Sequence, residues 1–169
     1  MNNIKIGFSA GNSLIPRIIR FFSKSKVSHS YIKYYDHCLG MDVVMESLWS
    51  GFEITPYDRF KKRTEVMYEF ECKKDLSESV KWSASYLSRP YDWFSAAWLF
   101  LKIISKKIRF PFRSATKWHC TEAVARMLQY SGLAEELDAE TLWPEDLLKY
   151  CKSNDNFIIT YEKNTNSNR

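Results

Sequence analysis

The chain has 169 residues, of which 45% are hydrophobic and 27% charged, a composition typical of globular proteins and not of disordered or fibrous ones. Domains cluster near roughly 100 to 150 residues, so the length predicts a single domain. We expect it to span residues 1–161, with a flexible polar tail over 162–169. The net charge of +5 is too small to indicate a dedicated nucleic-acid-binding protein.

Cysteine usage and hydropathy predict a protein of the cytoplasm. The chain contains four widely spaced cysteines with no CxxC pair: Cys38, Cys72, Cys120 and Cys151. The first ten residues lack the apolar core of a signal peptide. The longest apolar stretch, 93–104, is shorter than the roughly 20 residues that a transmembrane helix needs. We therefore expect free thiols in a reducing compartment.

Alternation of apolar and polar residues predicts that the first seventy residues are mostly strands. We expect an opening strand over 4–8, a short helix over 13–23, and a β-hairpin with strands 27–35 and 41–48 that residues 52–54 extend. A further strand over 65–72 is expected to expose the face that carries Glu65, Met67, Glu69 and Glu71.

From residue 75 onward the apolar period changes to about 3.6, which predicts helices. We expect helices over 76–87, 92–107, 120–131 and 145–151, followed by a final strand over 157–161. Pro90 is expected to end the first helix and Gly132 the third. The switch of period predicts an α+β fold in which an antiparallel sheet packs against helices.

Cys120 is the first candidate for chemistry, because it falls in the first turn of a predicted helix. A thiol at a helix N-terminus faces the positive end of the helix dipole and free backbone amides, both of which favour the nucleophilic thiolate. The alternative is a small hydrophobic core residue, since free cysteines are often buried. The polar groups of Trp118 and His119, directly before it, argue against a purely apolar surrounding for Cys120.

A nucleophilic cysteine needs a base, and the chain contains three histidines, His29, His37 and His119. His119 would diverge from Cys120 by about 100° around the helix start, and His37 lies in the predicted hairpin turn. His29 begins a predicted strand, from which a rigidly held imidazole is able to face a helix end. Its alternative role is that of a structural histidine.

Glu46 is the candidate for a third group that orients the imidazole. It shares one face of its predicted strand with Val44 and Leu48, so it is expected to point into the protein, where an unpaired carboxylate is unfavourable. Counting from a turn centred near residue 38 places residue 29 opposite about residue 47, one residue from Glu46. The alternative is a surface glutamate at a sheet edge.

Five short motifs follow one another along the chain: SHSYI at 28–32, VMES at 44–47, PYDW at 90–93, WHCTEAV at 118–124 and LWPEDL at 142–147. Together they resemble the circularly permuted papain-like cysteine amidases and peptidases, which are NlpC-related and include YiiX-like proteins. That family has its histidine first, then an acidic residue and then the cysteine, which is the order of His29, Glu46 and Cys120. The opening strand departs from the family, because relatives usually carry Gly-Asp ahead of it and this chain has no Asp there.

The resemblance implies a permuted papain-like fold over roughly residues 5–150 and a thiol hydrolase that cleaves peptide or cell-wall-type amide bonds. By their positions in the motifs, Cys120 corresponds to the nucleophile, His29 to the general base and Glu46 to the orienting acid. Tyr91 corresponds to a tyrosine that steadies the oxyanion with the Cys120 backbone N–H; alternatively, it packs in the core while Asp92 caps a helix. The same fold resembles lipid acyl hydrolases and acyltransferases, which makes a lipid ester the alternative substrate.

Two further interpretations compete with a thiol hydrolase. The pairs His37-Cys38 and His119-Cys120 suggest zinc, but adjacent side chains point apart and rarely suit one tetrahedral ion, so we expect no metal or other cofactor. Residues 93–113 mix aromatic side chains with Lys and Arg, a pattern typical of a segment that lies on a membrane surface. The same segment is compatible with a core helix followed by a solvated basic loop.

Overall fold

A computed structural model of the protein describes residues 3–11, 16–17, 20–21, 24–48, 50–90 and 118–164. The strands are β1 (Lys5–Gly11), β2 (His29–Asp36), β3 (Met41–Leu48), β4 (Gly51–Pro56), β5 (Thr64–Cys72) and β6 (Phe157–Glu162). The helices that lie wholly within these residues are α1 (Tyr57–Arg63), α2 (Ser77–Ala84), α3 (Cys120–Tyr130) and α4 (Pro144–Ser153). The predicted helix over 92–107, Tyr91 and the segment 93–113 lie outside the described residues, as does most of the predicted helix over 13–23.

The six strands form one antiparallel sheet in the order β4-β3-β2-β1-β5-β6, which confirms the α+β class. The predicted hairpin is also confirmed, since β2 pairs with β3. Its turn is held by the Asp36 carboxylate, which accepts the backbone N–H groups of Cys38 and Leu39 at 2.9 and 3.0 Å. Gly40 completes the turn with φ of +64°, a conformation that glycine adopts without strain.

The main core lies on one face of the sheet, under helices α2, α3 and α4. Helix α3 packs on β2 and β3 through the helically spaced residues that the sequence pattern singled out, and each of these is at most 2% exposed: Ala123, Val124, Met127 and Leu128. The α3 helix ends before Gly132, which has φ of +75° and confirms the predicted stop. Within the described ranges, no helix is long and apolar enough to cross a membrane.

Helix α1, which the sequence pattern did not predict, covers the opposite face of the sheet. Its only buried side chain is Phe60, which packs with Tyr31 and Val44 in a second, smaller apolar cluster. The prediction of a wet face on β5 is therefore wrong for two residues. Glu69 is buried on the α1 side, where it accepts a hydrogen bond from Tyr57 of that helix. Met67 lies at a break in the β1–β5 register and joins the main core.

Two other elements differ from the prediction at their ends. Helix α2 stops at Ala84, three residues earlier than expected, and the chain turns back at Ser88 with φ of +66°. Strand β6 runs to Glu162, and the backbone N–H of Lys163 donates to the Met67 carbonyl at 2.9 Å. The chain thus stays hydrogen-bonded to the sheet two residues beyond Tyr161.

Gly7 leaves the space that the Tyr31 side chain needs to cross strand β1. Gly7 of β1 lies between Tyr31 of β2 and Glu69 of β5, and the Tyr31 hydroxyl crosses it to donate to the Glu69 carboxylate at 3.1 Å. A Cβ atom on residue 7 would lie 2.0 Å from the Tyr31 ring. The missing side chain is therefore what lets the ring lie flat over β1.

Gly7→Ala is expected to destabilise the protein by about 1 to 3 kcal/mol, because overpacking forces the buried Tyr31 ring out of its position. The free energy of unfolding in urea measures this loss. The double variant Gly7→Ala/Tyr31→Ala is the control, since without the ring the methyl group has space. A Gly7→Ala penalty that is the same with and without the Tyr31 ring would contradict the explanation.

Candidate active site

Cys120 is the first residue of α3, and the residue before it caps the helix. His119 has extended backbone geometry, and its Nδ1 accepts the backbone N–H of Glu122 at 3.3 Å. Its Nε2 lies 3.2 Å from the Glu140 carbonyl and must donate to it, because a carbonyl oxygen only accepts. His119 therefore fixes the helix start, a role that sequence reasoning missed because histidine is not among the usual capping residues. Burial lowers the pKa of His119, but its interactions with Cys120 and Glu122 raise it above the ordinary value of a histidine.

A hydrogen bond ties the entry of α3 to strand β3. The Ser47 hydroxyl donates to the Trp118 backbone carbonyl at 2.5 Å, and both residues are buried. Glu46 and Ser47 are neighbours on β3 and so point to opposite faces of the sheet. One short stretch of strand thus holds both the helix that carries Cys120 and the carboxylate described next.

His29 and Glu46 are hydrogen-bonded, with 2.9 Å between Nε2 and a carboxylate oxygen. The β2–β3 register pairs Ile32 with Met45, and continuing it places His29 opposite Leu48. Glu46 is therefore the diagonal neighbour of His29 on the same face, a spacing that long side chains bridge. The Glu46 side chain is 0% exposed and the His29 side chain 17%. The expectation that Glu46 points inward and meets His29 is confirmed, with a register one residue from the predicted one.

The thiol of Cys120 interacts with the imidazole of His29, and each group shifts the ionisation of the other. Burial raises the pKa of the Cys120 thiol, but the charges and side-chain hydrogen bonds of His29 and His119 outweigh it, so the pKa lies well below its ordinary value. Burial likewise lowers the pKa of His29, whereas the charges and hydrogen bonds of Cys120 and Glu46 raise it above the ordinary value of a histidine. Both shifts favour a thiolate–imidazolium pair.

Arg63 is a member of this cluster that sequence reasoning did not find. It is the last residue of α1 and forms an ion pair with the second carboxylate oxygen of Glu46, the one that does not contact His29. Its guanidinium carbon also lies 5.8 Å from the centre of the buried Phe60 ring. The only local signal was a basic Lys-Lys-Arg run at 61–63, which by itself is typical of a solvated surface.

Another buried carboxylate lies in the first turn of α3. Glu122 is 2% exposed, and burial raises its pKa even though it bonds to Arg126 at 2.8 Å. Arg126 also contacts the Glu140 carboxylate at 3.2 Å. Because Glu140 provides the carbonyl that orients His119, this network is connected to the helix cap.

The remaining predicted site residue, Tyr91, lies outside the described residues. The first N–H groups of any helix lack intrahelical partners, and those at Cys120 and Thr121 are at the start of α3. Among the described residues, no group of three or more His, Cys, Asp or Glu side chains is arranged to hold a metal ion.

Comparison of the chain with protein-family models gives no match, and comparison with curated proteins gives none either. Arguments about function therefore rest on the geometry of the site.

Proposed function

We propose that this protein is a cysteine hydrolase that cleaves an amide bond of peptide or cell-wall type through Cys120, His29 and Glu46. The observation that carries the proposal is the contiguous set of three groups: a thiol of lowered pKa at a helix N-terminus, an imidazole that interacts with it, and a fully buried carboxylate 2.9 Å from that imidazole. A nucleophile, a base and an orienting acid placed in this way are what acyl transfer through a thioester requires.

In the proposed reaction, the Cys120 thiolate attacks the substrate carbonyl carbon, and the carbonyl π electrons move onto oxygen. The amides at the start of α3 stabilise this oxyanion. When the C–N bond breaks, the His29 imidazolium gives its proton to the leaving amine, and a thioester remains on Cys120. A water molecule then attacks the thioester carbonyl while His29 takes a proton from that water. The Cys120 thiolate leaves, and the carboxylic acid is released.

The remaining thiols provide internal references for this proposal. Burial raises the pKa of both the Cys72 and the Cys151 thiols, and Cys38 is exposed in the hairpin turn, outside the site. A nucleophilic thiol should therefore be distinguishable from the other three within one protein sample.

Iodoacetamide is expected to alkylate Cys120 fastest near neutral pH and to keep doing so at about pH 6, because its thiolate persists below the ordinary thiol pKa. Cys38 is the exposed reference, and alkylation of an ordinary thiol slows about tenfold per pH unit below the usual thiol pKa. Quantitative mass spectrometry of the four cysteine peptides over a pH series measures both profiles. If Cys120 and Cys38 follow the same pH profile, the proposed nucleophile is wrong.

A further inference from the structure

We propose that Arg63 is a positioning residue, which holds the Glu46 carboxylate against His29 and thereby supports the interaction of His29 with Cys120. The inference rests on the proposed function, because it assigns a role in the same site. It concerns a residue that touches neither the thiol nor, in the proposed reaction, the substrate.

The first support is that the two carboxylate oxygens of Glu46 have different partners. One oxygen bonds to His29 at 2.9 Å, and the other bonds to the Arg63 guanidinium. The carboxylate is 0% exposed, so neither oxygen has water as a substitute partner. A buried carboxylate that loses one of two charged partners either takes up a proton or rotates toward the partner that is left.

The charges that surround Glu46 are the second support. On the neighbouring strand, Glu53 lies directly opposite Glu46, and like charges in that relation destabilise each other. Glu53 is itself held by hydroxyl donors from Ser50 and Thr55, at 3.0 and 3.4 Å, and by no recorded cation within the described part of the chain. The positive charge of Arg63 therefore offsets a repulsion that is built into the sheet.

Within the described ranges, the other charged groups near the site do not replace Arg63. On α1, Lys61 pairs with Asp58 at 2.9 Å, and both side chains are exposed. From β2 the only titratable group that contacts Glu46 among the described residues is His29, and α3 contributes the Cys120 thiol, which also interacts with His119. The chain Arg63–Glu46–His29–Cys120 thus alternates in charge when the thiol is ionised.

The effect on His29 separates this role from a direct electrostatic one. If Arg63 acted only as a nearby cation, removing it would raise the pKa of both the His29 imidazole and the Cys120 thiol. If Arg63 acts through Glu46, removing it lets the carboxyl group turn away from His29, so that the pKa of the imidazole falls while the pKa of the thiol rises. A direct effect on the thiol would also persist without the Glu46 carboxylate, whereas an effect through Glu46 would not.

The test is the pH profile of Cys120 alkylation by iodoacetamide in full-length Arg63→Met, Arg63→Lys and Lys62→Met, resolved by mass spectrometry. Arg63→Met is expected to move the midpoint of the Cys120 profile up by as much as about one pH unit, which slows alkylation by up to about tenfold at pH values below the midpoint. Arg63→Lys keeps the charge without the planar fork and should fall between Arg63→Met and the unaltered protein. Lys62→Met, which removes an adjacent exposed charge, should leave the profile unchanged.

A double-variant cycle shows whether Arg63 acts through Glu46. In a Glu46→Gln background, Arg63→Met should shift the Cys120 profile less than half as much as it does alone. Arg63→Gln takes the place of Arg63→Met throughout if the methionine variant does not fold, as judged by circular dichroism. A profile that stays in place, moves to lower pH, or shifts equally in the Glu46→Gln background overturns the inference. None of these outcomes affects the proposed hydrolase, which fails instead if Cys120 of the unaltered protein reacts like Cys38.

Discussion

Cys120→Ala and His29→Ala are each expected to lower turnover by about a thousandfold or more, because neither a thioester nor its proton transfers form without both groups. Turnover is measured with p-nitrophenyl acetate, which acylates thiolates, and with a panel of aminoacyl p-nitroanilides for amide cleavage. The unaltered protein should release one equivalent of p-nitrophenolate in an initial burst, and Cys120→Ala should release none. Full turnover by Cys120→Ala on any substrate that the protein hydrolyses would rule out the thiol mechanism.

Folding should respond differently from activity at Cys120. Replacing its sulfur by hydrogen at a helix start leaves the His119 cap and the Ser47 bond in place, so the free energy of unfolding is expected to change by no more than about 1 kcal/mol. His37→Ala is the matched control for His29→Ala, because His37 is exposed in the hairpin turn, outside the site. It should retain full turnover.

Glu46→Ala is expected to lower the free energy of unfolding by about 2 to 4 kcal/mol and to reduce turnover as well. The reason is that the substitution leaves a cavity and removes a buried carboxylate from two charged partners, His29 and Arg63. We expect a smaller loss in the free energy of unfolding than for a fully buried ion pair, because the Arg63 side chain is 39% exposed and is able to turn toward water. Urea unfolding and the turnover assays above measure the two effects.

Glu46→Gln distinguishes orientation from charge at this position. A side-chain amide oxygen still accepts the imidazole N–H, so turnover should be partly retained and the stability loss should be smaller than for alanine. Glu53→Gln, one strand away, is the control, because it removes a carboxylate that does not contact His29 among the recorded interactions. Equal losses for Glu46→Gln and Glu53→Gln in either measurement would contradict the role of Glu46.

Local sequence signals were enough to predict the parts of the site that lie on regular elements. Helical periodicity and Gly132 located α3 and hence Cys120 at its N-terminus. Alternation and a turn at 36–40 located the hairpin, and with it the meeting of His29 and Glu46, to within one residue of register. The fold class follows from the same patterns, whereas the family resemblance and the proposed activity remain predictions.

What the sequence did not reveal depends on contacts between distant segments. Helix α1 has seven residues with one buried side chain, Phe60, so it lacks the apolar period that indicates a helix. Without α1 there was no reason to bury Glu69 or to bring Arg63 to Glu46. The break in the β1–β5 register that moves Met67 into the core is likewise set by pairing and not by local propensity.

The bond from Ser47 to the start of α3 makes the site insensitive to some changes of chain length and sensitive to others. Residues added between Asp36 and Gly40 lengthen the hairpin at the end away from His29 and leave Glu46 and Ser47 of β3 in place. A single residue added or removed between Val44 and Glu46 would exchange the faces on which the carboxylate and the hydroxyl emerge. The imidazole would then face a hydroxyl, and the helix entry a carboxylate. Natural variation in length, and engineered insertions such as affinity tags or reporter peptides, should therefore be tolerated at the hairpin turn and not along β3.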